Sequence, residues 1–266
     1  MKRNLSIILP TLNEYKNLSF LLPELVEMLE VESFENYEII VVDDGSTDQT
    51  EDFMSKFNKR NAKVKLISRK KNHSLPLSIW EGIENSIYPN VMWLDADGSM
   101  HVDAVRSLII KYFEMKKIII GSRFVSGGGY KGVKDLNNQS FFRAIINVNK
   151  SEDSVLGMVL SILFNRFLNV IFNSEVNDLT SGFIIIEKNK LNKKHFENSN
   201  YGEYFIEVVT SLIVSNTEIE EIGYVCETRK YGKSKTASSV YQLISRGIPY
   251  IKTAYRCRKK LKNANI

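Results

Sequence analysis

Short apolar runs alternate with amphipathic stretches through the first 120 residues of this chain. Runs at 5–9, 38–42, 64–67, 91–94 and 118–120 are dense in Ile, Val and Leu. Such runs predict strands covered on both faces, as in parallel sheets. Between them, apolar residues recur at helical spacing near 17–29, 47–58, 75–86 and 102–112. This βαβα order predicts an α/β fold: a mainly parallel central sheet flanked by helices, with right-handed crossovers. The rhythm breaks at 126–153, where Gly127-Gly128-Gly129 leads into polar sequence. That segment reads as a long surface loop or insertion with a short helix near 141–148. An apolar helix is predicted over 155–172, then a strand at 183–186, a helix at 203–215, a strand at 219–225 and a helical stretch from 238 onward. The expected organisation is one domain over 1–236 and a basic helical extension over 237–266.

The ends of the strand candidates carry the chemistry. Asp43-Asp44-Gly45-Ser46 follows the second run, and Asp95-Ala96-Asp97 follows the fourth. An apolar run ending in carboxylates delivers charge to the rim of a sheet, where open α/β proteins bind ligands. Two carboxylates at i and i+2 on a loop can hold one hard divalent cation, and such a cation commonly grips a diphosphate. Asp43 and Asp44 are adjacent acids that repel one another, so a hydrogen-bonding ligand accounts for them better than a turn does. Ser46, Thr47 or Asp48 can cap the helix that follows. Pro10-Thr11-Leu12-Asn13-Glu14 either frames a base or ribose, or makes a turn with Asn13 as a cap. Arg123, after Gly121-Ser122, is placed to hold a phosphate by paired hydrogen bonds. Asp178 precedes another strand, as a ligand or in a polar turn. Arg229, Lys230 and Gly232-Lys233-Ser234-Lys235 suit a lid over phosphates or an exposed basic loop. His101 lies within reach of a metal at Asp97, although a lone His is more often a surface or packing residue.

Composition narrows this picture. The chain has 266 residues, 43% hydrophobic and 25% charged, which suits a globular protein and argues against disorder. The net charge of +5 is modest, but basic residues gather late, at Arg246, Lys252, Arg256, Arg258, Lys259, Lys260 and Lys262. Such a tail suits an anionic membrane face, a nucleic acid or a solvated helix. Cys226 and Cys257 form no metal or redox motif, which predicts a reducing compartment. The segment after Met1 is too short for a signal-peptide core. Asn165, Arg166 and Asn169 interrupt the helix at 155–172, so it is expected to lie against a surface rather than cross a bilayer. No G-x-G-x-x-G joins the first strand to its helix, and no P-loop or Ser/Cys/His nucleophile arrangement is present.

Taken in order, the motifs from Pro10 to Lys235 resemble those of the family 2 glycosyltransferases with the GT-A fold. The last three most resemble the polyprenyl-phosphate sugar transferases, including the dolichol-phosphate mannosyltransferases. The resemblance implies a GT-A fold with a C-terminal helical membrane-facing extension, a nucleotide-diphosphate sugar donor and an inverting transfer. It implies that Pro10, Asn13, Glu14 and Asp43 or Asp44 line the nucleotide pocket. Asp95 is then near the diphosphate and a Mg²⁺ or Mn²⁺ ion, Asp97 ligates that ion, and Ser99 stands where a further ligand is often found. Arg123 faces the phosphate of a polyprenyl-phosphate acceptor, and Arg229 and Lys235 close over the donor. A lipid phosphate needs no general base; a sugar hydroxyl does, and Asp178 is the base candidate for that case. Two places depart from the subgroup. His73-Ser74-Leu75-Pro76 stands where a Gly-rich patch is usual, and Gly157 stands near an expected Arg, leaving Arg143 in the insertion as a candidate substitute. The implied partners are the sugar donor, the lipid phosphate and a membrane surface, with no nucleic acid. The implied location is cytoplasmic, peripheral on the cytoplasmic face of a membrane. The alternatives are a cytosolic transferase acting on a sugar hydroxyl in surface-polysaccharide synthesis, and a nucleotide-sugar-binding module without turnover.

Overall fold

The computed structural model describes residues 3–264, apart from 33, 35, 131–132, 135–154, 228, 230 and 232–239. The strands are β1 (Asn4–Thr11), β2 (Asn36–Asp43), β3 (Val64–Ser68), β4 (Asn90–Trp93), β5 (Ile118–Ser122), β6 (Gly129–Tyr130), β7 (Val133–Lys134), β8 (Ile184–Glu187), β9 (Ile219–Gly223) and β10 (Val225–Cys226). The helices are α1 (Tyr15–Val31), α2 (Thr50–Arg60), α3 (Leu75–Glu84), α4 (Val102–Met115), α5 (Val155–Phe172), α6 (Lys194–Glu197), α7 (Tyr204–Val214) and α8 (Val240–Asn263).

Seven strands form one sheet in the order β3-β2-β1-β4-β8-β5-β9. All neighbours are parallel except β8, which runs antiparallel to both β4 and β5. Alternation along each strand sends side chains to opposite faces. Leu5, Ile7, Leu9, Ile39, Val41 and Met92 meet Leu18, Leu22 and Leu25 of α1 and Val105, Leu108 and Ile109 of α4. Ile8, Ile40, Val42, Val91 and Trp93 meet Ile79 and Ile83 of α3, Leu168 and Phe172 of α5, and Phe205, Val208 and Val209 of α7. This two-sided cover is why the strands read as unbroken apolar runs. Gly82 lets α3 lie directly on β1, because a Cβ there would collide with Ile8.

The antiparallel β8 has a functional consequence. The C-terminal ends of β1, β2, β4 and β5 share one rim, and the residues that enter β8 start from that same rim. Asp178 is thereby brought beside Arg123. The expected strand at 219–225 divides: β9 ends at Gly223, and β10 joins β6 and β7 in a small three-stranded sheet. That small sheet occupies the start of the expected 126–153 loop. The expected helix near 141–148 lies outside the described residues. Helix α2 starts at Thr50 rather than 47, and just before it Asp48 Oδ1 accepts a hydrogen bond from Thr50 N at 3.0 Å. The inner face of α8, with Ala254, Cys257 and Leu261, belongs to the core beneath α7, so the expected extension is anchored over this stretch. Glu207 of α7 is buried and pairs with Arg256 and Lys260 of α8. No helix among the described residues is long and apolar enough to cross a membrane.

Candidate active site

A cleft of about 390 Å³ opens at the rim where the parallel strands end. Pro10, Leu12, Glu14 and Asp44 line one side, and Asp95, Asp97 and Arg229 line the next. Thr180, Ser181 and Gly182 from the approach to β8, with Tyr201, Tyr204 and Tyr250, complete the wall.

The acidic end is built by the loop after β4. Asp97 Oδ1 accepts a hydrogen bond from Ser99 N at 2.9 Å, which holds the tight turn. Asp97 Oδ2 lies 2.8 Å from Arg229 Nε, and Arg229 Nη1 lies 3.4 Å from Glu14 Oε1. Glu14 is steadied by Asn17, whose Nδ2 donates to Oε2 at 2.6 Å. Burial, then the neighbouring Asp97 carboxylate, raises Asp95 from 3.8 to about 7; Arg229 and Arg123 pull the other way. Among the described residues, no three carboxylate, imidazole or thiol groups converge as a metal-holding set. The cleft does offer two carboxylates, hard oxygen donors that suit Mg²⁺ or Mn²⁺ and leave further positions to diphosphate and water. A protein cation, Arg229, already sits on one of them. On donor chemistry and on this stand-in charge, Asp95 and Asp97 fit a hard divalent cation. His101 does not join them: its Nδ1 accepts from Asp103 N at 3.3 Å and caps α4.

At the other end, Asp44 is ion-paired with buried Arg69, the residue just past β3. Arg69 is itself fixed by Glu81 at 2.7 Å and Ser78 Oγ at 2.9 Å. His73 Nδ1 lies 3.3 Å from Asp44 Oδ1, so the departure at 73–76 forms part of this wall. Asp43 turns inward to cap its own loop, accepting from Ser46 N at 3.2 Å. Asn13 takes a left-handed conformation at φ 55° and ties two loops together, its Oδ1 accepting from Thr47 N at 2.7 Å. The structure therefore brings Pro10, Glu14, Asp44, Asp95, Asp97 and Arg229 into one cleft, while Asn13 and Asp43 shape its edges.

Arg123 and Asp178 form a buried unit. Asp178 Oδ2 accepts from Arg123 N at 3.0 Å and Nε at 2.8 Å, and Oδ1 accepts from Nη2 at 2.7 Å. Burial alone would lower the Arg123 pKa, but the Asp178 carboxylate overrides it and holds the guanidinium well above its usual value. Asn165 of α5 joins this unit through Thr180 Oγ1 at 2.8 Å and accepts from Leu179 N at 2.9 Å. Lys235, Lys230 and Arg143 lie outside the described residues. Sequence reasoning missed Arg69, Tyr201, Tyr204 and Tyr250. Only Arg69 left a trace there, as a basic residue immediately after a strand candidate; the tyrosines follow no motif.

The Glycosyl transferase family 2 model matches residues 6–193. A dolichol-phosphate mannosyltransferase of Pyrococcus furiosus is 25% identical over 256 residues, covering 96% of this chain and 63% of that protein. A dolichyl-phosphate beta-glucosyltransferase of Trichomonas vaginalis is 29% identical over 127 residues, covering 44% of this chain and 38% of that protein. The chain thus spans less than two thirds of the length of either relative. Glucosyl-3-phosphoglycerate synthase of Mycobacterium tuberculosis, solved with Mn²⁺, UDP and phosphoglyceric acid, superposes with a TM-score of 0.66 at 15% identity, covering 96% of this chain and 78% of that one. At that identity the likeness shows a shared GT-A fold.

Proposed function

The chain belongs to glycosyl transferase family 2, and from that premise we propose that it moves a hexose from a nucleoside-diphosphate sugar to a polyprenyl phosphate at a membrane surface, with inversion at the sugar carbon. The carrying observation is the convergence of Asp95, Asp97, Glu14 and Arg229 in the cleft that Asp44 also lines. In this reading the nucleoside lies toward Pro10, Leu12 and Asp44. Its diphosphate lies toward Asp95, Asp97 and Arg229. Asp95 and Asp97, with Ser99 bonded through its N–H to Asp97, would hold a Mg²⁺ or Mn²⁺ ion, which would supply positive charge to offset that on the departing diphosphate. The Mn²⁺ and UDP bound by the mycobacterial synthase support that donor and metal. The names of the dolichol-linked relatives support a lipid phosphate acceptor.

Arg123 is the group for the acceptor phosphate, held rigid by Asp178. An anionic phosphate attacks without a general base, whereas a sugar hydroxyl needs one. The Asp178 carboxylate is fully buried and taken up by Arg123, which favours the phosphate acceptor over the hydroxyl. The membrane part rests on two helix faces that touch. Leu160, Leu163, Phe167 and Val170 form an exposed stripe on α5, and Ile248, Ile251 and Tyr255 form another on α8. Exposed Lys252, Arg258, Lys259 and Lys262 flank the second, and no acidic residue follows Glu227. Apolar stripes with a basic rim suit the interface of an anionic, cytoplasm-facing leaflet.

A donor panel with Mg²⁺ or Mn²⁺, with and without a short polyprenyl phosphate, tests this. Nucleoside diphosphate should be released when the lipid is present, and Asp97→Ala should abolish that release. Turnover with sugar acceptors and none with the lipid overturns the acceptor assignment. Normal turnover by Asp97→Ala overturns the metal role.

A further inference from the structure

Arg229 is a cation standing where a divalent ion would meet Asp97. Its Nε contacts Asp97 Oδ2 at 2.8 Å, and its Nη1 lies 3.4 Å from Glu14 Oε1, which adds further negative charge. Glu227 and Tyr231, two residues to each side, are pinned. Before it, Glu227 N donates to Ser99 O at 2.9 Å, tying this segment to the Asp97 loop. After it, Tyr231 O accepts from Asn17 Nδ2 at 3.2 Å, and the Tyr231 ring stacks on Phe20 with centroids 5.7 Å apart. Asn17 also holds Glu14, so one amide bonds both Tyr231 and a carboxylate that Arg229 contacts. Arg229 is therefore placed on Asp97 by its surroundings. A guanidinium and a divalent ion on the same carboxylate repel strongly in a partly buried cleft. A diphosphate removes that conflict, because it supplies a second anion to which a planar guanidinium binds well.

We propose that Arg229 is a built-in counter-ion that keeps Asp97 closed to metal in the free protein. It exchanges Asp97 for the donor's diphosphate when metal and nucleotide arrive together. This rests on the donor reading above and adds to it an order of binding. Metal alone binds poorly, and the metal–nucleotide chelate binds well. Arg229 is thus a gating residue in the free protein and a ligand in the complex.

Arg229→Met keeps the length and apolar stem but removes the charge. Free Mn²⁺ would be counted by electron paramagnetic resonance without nucleotide, and binding of Mn²⁺ with UDP or GDP by calorimetry. Arg229→Met should bind Mn²⁺ alone about tenfold more tightly and the Mn²⁺–nucleotide pair about tenfold more weakly, each a change of about 1.4 kcal/mol. Arg229→Lys, which keeps the charge, should leave Mn²⁺ alone weak. A merely structural role would weaken both. If wild-type protein binds the Mn²⁺–nucleotide pair and Arg229→Met fails to tighten Mn²⁺ alone, the gating role is wrong and the donor site stands. If wild-type protein binds neither nucleotide with Mn²⁺, the donor site itself is refuted and the gate falls with it.

Discussion

Replacing Asp178 with Asn separates a positioning carboxylate from a catalytic base. Asp178 is fully buried, and the Arg123 side chain is 11% exposed. The carboxylate accepts from Arg123 N, Nε and Nη2 and from Thr180 N, between 2.7 and 3.3 Å. An Asn amide has one oxygen, so its nitrogen would face donors that need an acceptor. Removing one partner of a buried pair leaves an uncompensated charge and costs about 3–5 kcal/mol. For a domain of this size, that lowers the melting midpoint by on the order of 10 °C. Urea unfolding at 25 °C followed by circular dichroism reads the loss directly. Well below the midpoint, transfer to lipid phosphate should be reduced through a higher acceptor KM, because Arg123 is no longer held. Arg123→Met with Asp178→Leu should recover only part of the stability, since it removes the stranded charge but leaves Arg123 N and Thr180 N without their acceptor, and it should lose the acceptor phosphate. If Asp178→Asn were as stable as wild type but inactive, the carboxylate would be acting in the chemistry. A hydroxyl acceptor would then be the better reading.

Three further outcomes follow from the geometry. Gly223→Ala places a Cβ 2.5 Å from Gly128 N and against Ser126 O, both backbone atoms that cannot swing aside; it should destabilise by about 1–3 kcal/mol and loosen the loop carrying Arg123, read by urea midpoint and hydrogen exchange. Asp95 has a folded pKa of about 7 against 3.8, so the folded protein holds a proton that the unfolded chain has lost. Metal-free stability should therefore fall as pH rises from about 4 to about 7, while Mn²⁺ affinity with nucleotide should rise over the same window; an affinity independent of pH would rule out Asp95 as a ligand. Phe167→Ser with Ile251→Ser should reduce co-sedimentation with vesicles containing phosphatidylglycerol and leave nucleotide binding unchanged; unaltered co-sedimentation would remove these stripes as the membrane face.

What the sequence determined was whatever depends on neighbours along the chain. Buried strands announced themselves because both faces of β1, β2 and β4 need apolar side chains. Asp44, Asp95 and Asp97 were legible because a polar residue ending an apolar run has to lie at the rim. The Arg123–Asp178 pair was not, because it joins residues 55 apart and depends on β8 entering the sheet antiparallel. A four-residue apolar strand reads the same in either direction. Arg69 fixing Asp44 and three tyrosines lining the cleft are likewise contacts between distant segments. Their partners are chosen by how helices and loops settle on the sheet. Local period and punctuation decide which residues form an element and where charge emerges. Only the packed tertiary structure decides which charge faces which, because that is set by burial and by the few angstroms between side chains that the sequence keeps far apart.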